Sequence, residues 1–438
     1  MKLKNIKITN YRCFKEADID FDDHITLIVG KNGAGKTAIL DAVAVAVSTF
    51  LLGIDGGVSR GISKDDARYE FHDLNGTIDP QHQFPVSIGS VGDCLDNQAV
   101  KWVRSLNSEN GNTTVKEARE LTNISKEAQN RIMTGDKSLV LPLISYYGTG
   151  RLYAQKKEKK NIKSLTEFKR QVGYVDCMAA ESNEKLMLNW FQIQTLKCLQ
   201  EQQRTGVIEK SLLLKTVETA ICKCFERISG AKNASIIFDL DTHRLVLDFE
   251  SADGSLQKFA MDEMSDGYKN TLSMIGDIAY RMAVLNPMLG EKVLEETPGV
   301  ILIDEIDLHL HPQWQQTIIS DLISIFPKIQ FIVSSHAPEV INSVSREQIR
   351  ILDNGEIYIP AAQTYGRDAN SILREVMMVS ERPMRITELL KAFYVFMDNK
   401  QYDEADKVLS EIEDVVGTTD PDIAAERTAL DLEKILGE

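Results

Sequence analysis

An α/β fold is predicted, built on a mainly parallel sheet with an N-terminal antiparallel β subdomain, a helical insertion and C-terminal helices. Three observations carry that prediction. Ile25-Thr26-Leu27-Ile28-Val29 and Val300-Ile301-Leu302-Ile303 are nearly uninterrupted apolar runs, as expected of central strands covered on both faces. A glycine-rich turn and an alanine-rich helical stretch follow the first run, and two adjacent carboxylates follow the second. A helical pattern from about Gln313 to Phe326 joins Val300–Ile303 to another buried run, Ile329–Val333, which is the pattern of a parallel crossover, right-handed by rule.

The elements follow in order. Leu3, Ile6 and Ile8 mark a first strand; Ala17, Ile19 and Phe21 then alternate with Asp18 and Asp20, so one face is buried and one wet. After the strand at 25–29, the spacing predicts a helix over about Thr37–Leu51. Gly53, Gly56, Gly57 and Gly61 predict a mobile loop. Strands are expected around Pro85–Val91 and Ala99–Ser105, a polar helix from about Val115 to Met133, and a buried strand over Leu139–Tyr147. Leu186, Trp190, Ile193 and Leu196 share one helical face, and Leu214, Val217, Ile221, Phe225 and Ile228 another. Strands return at Ser235–Asp239 and Arg244–Glu250. Acid-rich amphipathic helices are expected at about Ile386–Met397, Asp403–Val416 and Ile423–Leu436. The resulting division is an N-terminal lobe (1–150), a helical insertion (151–232), a C-terminal lobe (233–365) and an acidic helical region (366–438).

Composition narrows the function classes. Asp and Glu outnumber Lys and Arg by 65 to 50, giving a formal net charge of −15. That balance argues against coating nucleic acid non-specifically, although a local basic patch could still bind it. The first residues lack a signal-peptide core, and no apolar run is read as crossing a bilayer, so a cytoplasmic protein without membrane partners is expected. The 6 cysteines lack zinc-type pairing, and buried thiols are expected, at Cys222 and Cys224 among others.

Four motifs carry chemistry. Gly30-Lys31-Asn32-Gly33-Ala34-Gly35-Lys36-Thr37 fits GxxxxGK[ST] between a strand and a helix. Glycines let backbone amides wrap phosphates, Lys36 reaches the β- and γ-phosphates, and the Thr37 hydroxyl ligates Mg2+. Asp304 and Glu305 stand at the end of a buried strand, Asp304 as a water-mediated holder of the metal and Glu305 as general base toward the attacking water. Met264-Ser265-Asp266-Gly267-Tyr268 opens a helix, where a serine and a glycine can bind phosphate. Ser334-Ser335-His336 ends the strand after the acidic pair. ATP and Mg2+ are therefore the expected ligands.

In that order, these motifs resemble the head of the ABC-type ATPases, a class of P-loop NTPase. The likeness lies with the RecF/SMC/OLD branch: Ile8-Thr9-Asn10-Tyr11-Arg12-Cys13-Phe14 is similar to its opening, and Asp304-Glu305-Ile306-Asp307-Leu308-His309-Leu310-His311-Pro312 to its D-loop. Within the branch the chain looks most like the PtuA-type ATPases of Septu and retron-linked anti-phage systems. The resemblance implies that Ser265 and Gly267, a departure from LSGGQ at Asp266 and Tyr268, face the γ-phosphate held by another subunit, and that His336 is the switch histidine. It implies a homodimer, or an oligomer of dimers, and a separate HNH-type nuclease as partner. A RecF-like repair ATPase acting on DNA is the alternative, with Lys156, Lys157, Lys159, Lys160 and Lys163 as its basic patch; a transporter subunit fits the D-loop poorly. Arg12 is read as a nucleotide contact or as cover for a sheet edge. Arg151, where relatives carry a Q-loop glutamine, is read as a phosphate contact or a strand cap. His309 and His311 belong to the D-loop rather than to a metal site. The stretch after His336 reads as helices, without the alternating strands of a Toprim nuclease.

Overall fold

Strand β1 (Lys2–Tyr11) turns back into β2 (Phe14–Asp20), burying Leu3, Ile6, Ile8 and Ile19 on one side. The computed structural model describes residues 1–74, 77–152, 169–179, 184–206, 210–251 and 253–437. β3 (Ile25–Gly30) is buried at every residue and runs into helix α1 (Lys36–Ser48). A hairpin of β4 (Tyr69–Leu74) and β5 (Thr77–His82) follows, then the antiparallel pair β6 (Val86–Cys94) and β7 (Asn97–Leu106). Helix α2 (Arg119–Met133) precedes β8 (Leu143–Tyr147), shorter than the Leu139–Tyr147 strand expected. Helices α3 (Glu184–Thr205) and α4 (Leu212–Ser229) lead to the sheet of β9 (Lys232–Asp239), β10 (Arg244–Glu250) and β11 (Leu256–Ala260). Helix α5 (Asp266–Leu285) then precedes β12 (Gly299–Ile303), β13 (Ile329–Ser335), β14 (Ile349–Asp353) and β15 (Glu356–Tyr358).

Besides the two-stranded β4-β5, the sheets among the described residues are an antiparallel β2-β1-β6-β7, an antiparallel β11-β10-β9 and a central β15-β14-β3-β13-β12-β8. In the central sheet every pairing but β14–β15 is parallel, which is the predicted α/β architecture with its antiparallel companion. Ser335 of β13 pairs with Val29 of β3, and Ile303 of β12 with Val333 of β13. The carboxyl ends of three neighbouring strands therefore finish level, which is where open α/β sheets bind ligands. One buried polar side chain ties the two sheet systems together. Gln330 of β13 accepts from Leu3 N–H at 2.7 Å and donates to Leu3 O at 2.7 Å and to Asp22 O at 2.8 Å.

Several expectations are corrected. The stretch Lys36–Gly53 is 18 residues long and apolar enough to pass as a membrane span by length and composition; 83% of it is buried in the protein, so it is a core helix. The expected mobile loop after Gly53 is packed instead: Arg60 pairs with Asp41 at 2.7 Å, and its N–H bonds Ser48 Oγ at 2.9 Å. The helix expected over Gln313–Phe326 breaks into Pro312–Gln315 and Ile318–Ile325. Thr317 N–H bonds Trp314 O at 3.1 Å, an i→i−3 contact that closes the first turn before the second begins. Cys222 and Cys224, by contrast, are buried thiols as expected, and burial pushes their pKa up to about 12.

Residues Met1–Arg367 form one unit and Asp368–Glu438 another. In the second, helices Met384–Asp398, Tyr402–Val416 and Pro421–Gly437 bury Phe393, Leu409, Ile412, Ile423 and Leu430.

Candidate functional site

The site is assembled at the level strand ends. Gly35 caps the N-terminus of α1 with φ +104°, a backbone that L side chains rarely adopt. A Cβ there would also lie 2.6 Å from Cys13 Sγ and 2.8 Å from Phe14, so the turn between β1 and β2 presses directly on the loop. Lys36 is buried, and its ammonium donates to Gly30 O at 2.8 Å and to Lys31 O at 3.3 Å. Burial lowers its pKa below the ordinary lysine value, while Glu305, Asp304 and Asp307 pull it back up. Thus three carboxylates act on the one lysine.

Asp304 links the loop to the sheet. It is 1% exposed, and a carboxylate so deep needs its oxygens bonded. Thr37 Oγ1 donates to Asp304 Oδ2 at 2.8 Å, and Ser334 Oγ donates to Oδ1 at 2.6 Å. The same Ser334 hydroxyl accepts from Glu305 N–H at 2.8 Å, fixing a residue whose φ is +48°. Glu305 itself is half-buried at the end of β12. His336, at the end of β13, is exposed, with Nε2 3.7 Å from Asp307 Oδ2. The structure therefore brings Gly30, Lys36, Thr37, Asp304, Glu305 and His336 to one edge, while Lys31, Asn32 and Gly33 form the exposed outer turn.

Ser265 and Gly267 have other neighbours. Ser265 is exposed and its side chain makes no capping bond to α5. A Cβ on Gly267 would come 2.6 Å from His309 O, so only glycine lets this turn lie against the loop after Glu305. Tyr268 packs edge-on against Trp314, ring centroids 4.3 Å apart. Within one chain this turn is thus fixed to the acidic loop, with its serine turned to solvent.

Arg12 holds two carboxylates, Asp41 at 2.7 Å and Asp66 at 2.9 Å, and its N–H bonds Asp66 O at 2.7 Å. It fastens the β1–β2 turn to α1, a role that neither sequence reading contained. The Arg151 side chain and the lysines at 156–163 lie outside the described residues. His311 Nδ1 accepts from Gln313 N–H at 3.3 Å, capping the next helical turn. Among the described residues no group of three or more His, Cys, Asp or Glu could hold a metal ion. Sequence reasoning quoted Ser334 in a motif but gave it no role, and missed Asp41 and Asp66, because each acts on a residue far away in the chain. The repeated serine before His336 was the one local signal.

The family model described as AAA domain matches residues 5–228, more than half of the chain, and a second AAA domain model matches residues 223–342. The chain is 25% identical to "Retron Vc95 probable ATPase" of Vibrio cholerae, an alignment covering 92% of this chain and 85% of that protein. It is 26% identical to "Retron Ec83 probable ATPase" of Escherichia coli, covering 93% and 82%. It is 23% identical to "Septu protein PtuA" of Bacillus thuringiensis, covering 91% and 90%.

Proposed function

This chain belongs to the AAA domain family and is an ATPase, and from that premise we propose that two copies close head to head around ATP and thereby govern a separate nuclease in anti-phage defence. The observation that carries the reading is the bonded series Thr37–Asp304–Ser334–Glu305, with Ser265 exposed on the same chain. The series is half of a hydrolytic site, and the exposed serine is the piece that a second head would bring to it.

In this reading the loop amides of 30–37 cradle the phosphates at the start of α1. Lys36 exchanges its carbonyl partners for β- and γ-phosphate oxygens. Thr37 Oγ1 and Asp304 Oδ2, 2.8 Å apart, are hard oxygen donors of the kind Mg2+ takes beside water and phosphate oxygens, and the ion would neutralise charge developing on the phosphates. Glu305 accepts the proton of the attacking water. His336 contacts the γ-phosphate from β13. Ser265 and Gly267 of one copy close over the nucleotide held by Lys36 and Thr37 of the other. Residues 151–232 form an insertion between the two lobes, 1–150 and 233–365, and 366–438 the C-terminal helical region. The separate nuclease, of HNH type in this reading, is what the resemblance to the PtuA-type ATPases implies.

Light scattering with a slowly hydrolysed ATP analogue tests the closure. ATP-driven association should double the mass of the particle, or of its building block, and Ser265→Arg should abolish the change. A mass that ignores nucleotide would refute head-to-head closure.

A further inference from the structure

We propose that Asp307 is a positioning residue for His336, itself held in place by Ser335, the second of two consecutive buried serines. The inference rests on the γ-phosphate role given to His336 above. Ser334 and Ser335 are both fully buried, and consecutive residues of a strand point to opposite faces. Each hydroxyl donates once and accepts once. Ser334 Oγ donates to Asp304 and accepts from Glu305 N–H; Ser335 Oγ donates to Asp307 Oδ1 at 2.6 Å and accepts from Ala337 N–H at 3.0 Å. One strand end thus sets two carboxylates of the same loop.

Asp307 is 8% exposed, too deep for a carboxylate placed at random. With Oδ1 taken by Ser335, its Oδ2 faces His336 Nε2 at 3.7 Å. The loop around it is fixed at several points: Ile306 N–H bonds Ser334 O at 3.0 Å, Leu310 N–H bonds Asp307 O at 3.0 Å, and Gln315 donates to Leu310 O at 3.0 Å. At 3.7 Å the two groups are neighbours rather than hydrogen-bonded partners; a carboxylate held so firmly beside one edge of an imidazole would draw that edge's N–H toward it and so orient the ring. The chemistry of Asp307 is therefore that of an orienting group acting through the histidine.

The test is a double-mutant cycle on the full chain, read as kcat and KM for ATP. Asp307→Asn should lower kcat by about 10–100-fold, as removal of a carboxylate that orients a functional histidine does, with KM changed less than about threefold. Ser335→Ala, which keeps the charge and releases the carboxylate, should lower kcat in the same direction by less. In a His336→Asn background, Asp307→Asn should cost nothing further. Full additivity in that background, or unchanged kcat in both Asp307→Asn and Ser335→Ala, would overturn the proposal while leaving His336 in its role. An unchanged kcat in His336→Asn alone would overturn both.

Discussion

Glu305→Gln should slow ATP hydrolysis by about 10²–10⁴-fold, the usual worth of a general base, while nucleotide affinity stays within about threefold. The amide has the shape of the carboxylate but cannot take the water's proton. The change should be local, because Glu305 is held through its backbone: its N–H bonds Ser334 Oγ at 2.8 Å, and the next residue's N–H bonds Ser334 O at 3.0 Å. Lys36 loses one of the three carboxylates that act on it but keeps its bonds to Gly30 O and Lys31 O, and Thr37 keeps its bond to Asp304, so the residues proposed to grip the phosphates stay in place. Phosphate release in the steady state and titration with a fluorescent nucleotide separate the two quantities. A variant that hydrolyses ATP at the original rate would remove Glu305 from the chemistry, and one that no longer binds ATP would make it a binding residue.

Arg281→Met should destabilise the Met1–Arg367 unit by about 3–5 kcal/mol, the cost of stripping a buried charge of its partner. Arg281, on α5, is 2% exposed. It bonds Asp277 Oδ2 at 2.7 Å and donates to the carbonyls of Gly173 and Val175 at 2.9 Å. Tyr147, at the end of β8, donates to the same Asp277 oxygen at 2.8 Å, and burial raises its phenol well above the ordinary range. Three segments, α5, β8 and residues 173–175, therefore meet on one buried ion pair. Methionine keeps much of the arginine's apolar length but leaves Asp277 without its cation. The midpoint of denaturant unfolding should fall accordingly, and Asp277→Leu added to Arg281→Met should recover much of the loss. If both single replacements leave the midpoint unchanged, the buried pair contributes nothing to the fold.

The parts of this protein that sequence reading reached are those written in contiguous residues. Val29 to Thr37 carries its strand, turn and helix start within a few residues, and Ile301 to Glu305 carries a strand and its terminal acids; both stand as expected. The bonds that make them one site span the chain: Thr37 and Asp304 are 267 residues apart, and no local pattern announces that they touch. The hairpin β4–β5 escaped notice for another reason. Phe71 is 69% exposed and Ile78 67%, so its apolar residues obey no burial pattern, and a proline such as Pro80 is ordinarily a sign against a strand. β11 was missed likewise, with Leu256 86% exposed. Arg12 and Asp277 show the remaining limit, since a charged residue inside a fold is set by partners that only the folded chain brings to it.

The central claim is that one catalytic site is made by two heads, and complementation between two damaged heads tests it most directly. Lys36→Ala removes the phosphate-gripping lysine, and Ser265→Arg blocks the turn offered to the neighbour. Each variant alone should be inactive. Mixed in equal amounts, they should regain ATPase activity, because a mixed dimer holds one intact site of two, with Lys36 from one chain and Ser265 from the other; random pairing would return about a quarter of the original rate. A site complete within one chain would give no recovery on mixing, and full activity of Ser265→Arg alone would contradict the shared site outright.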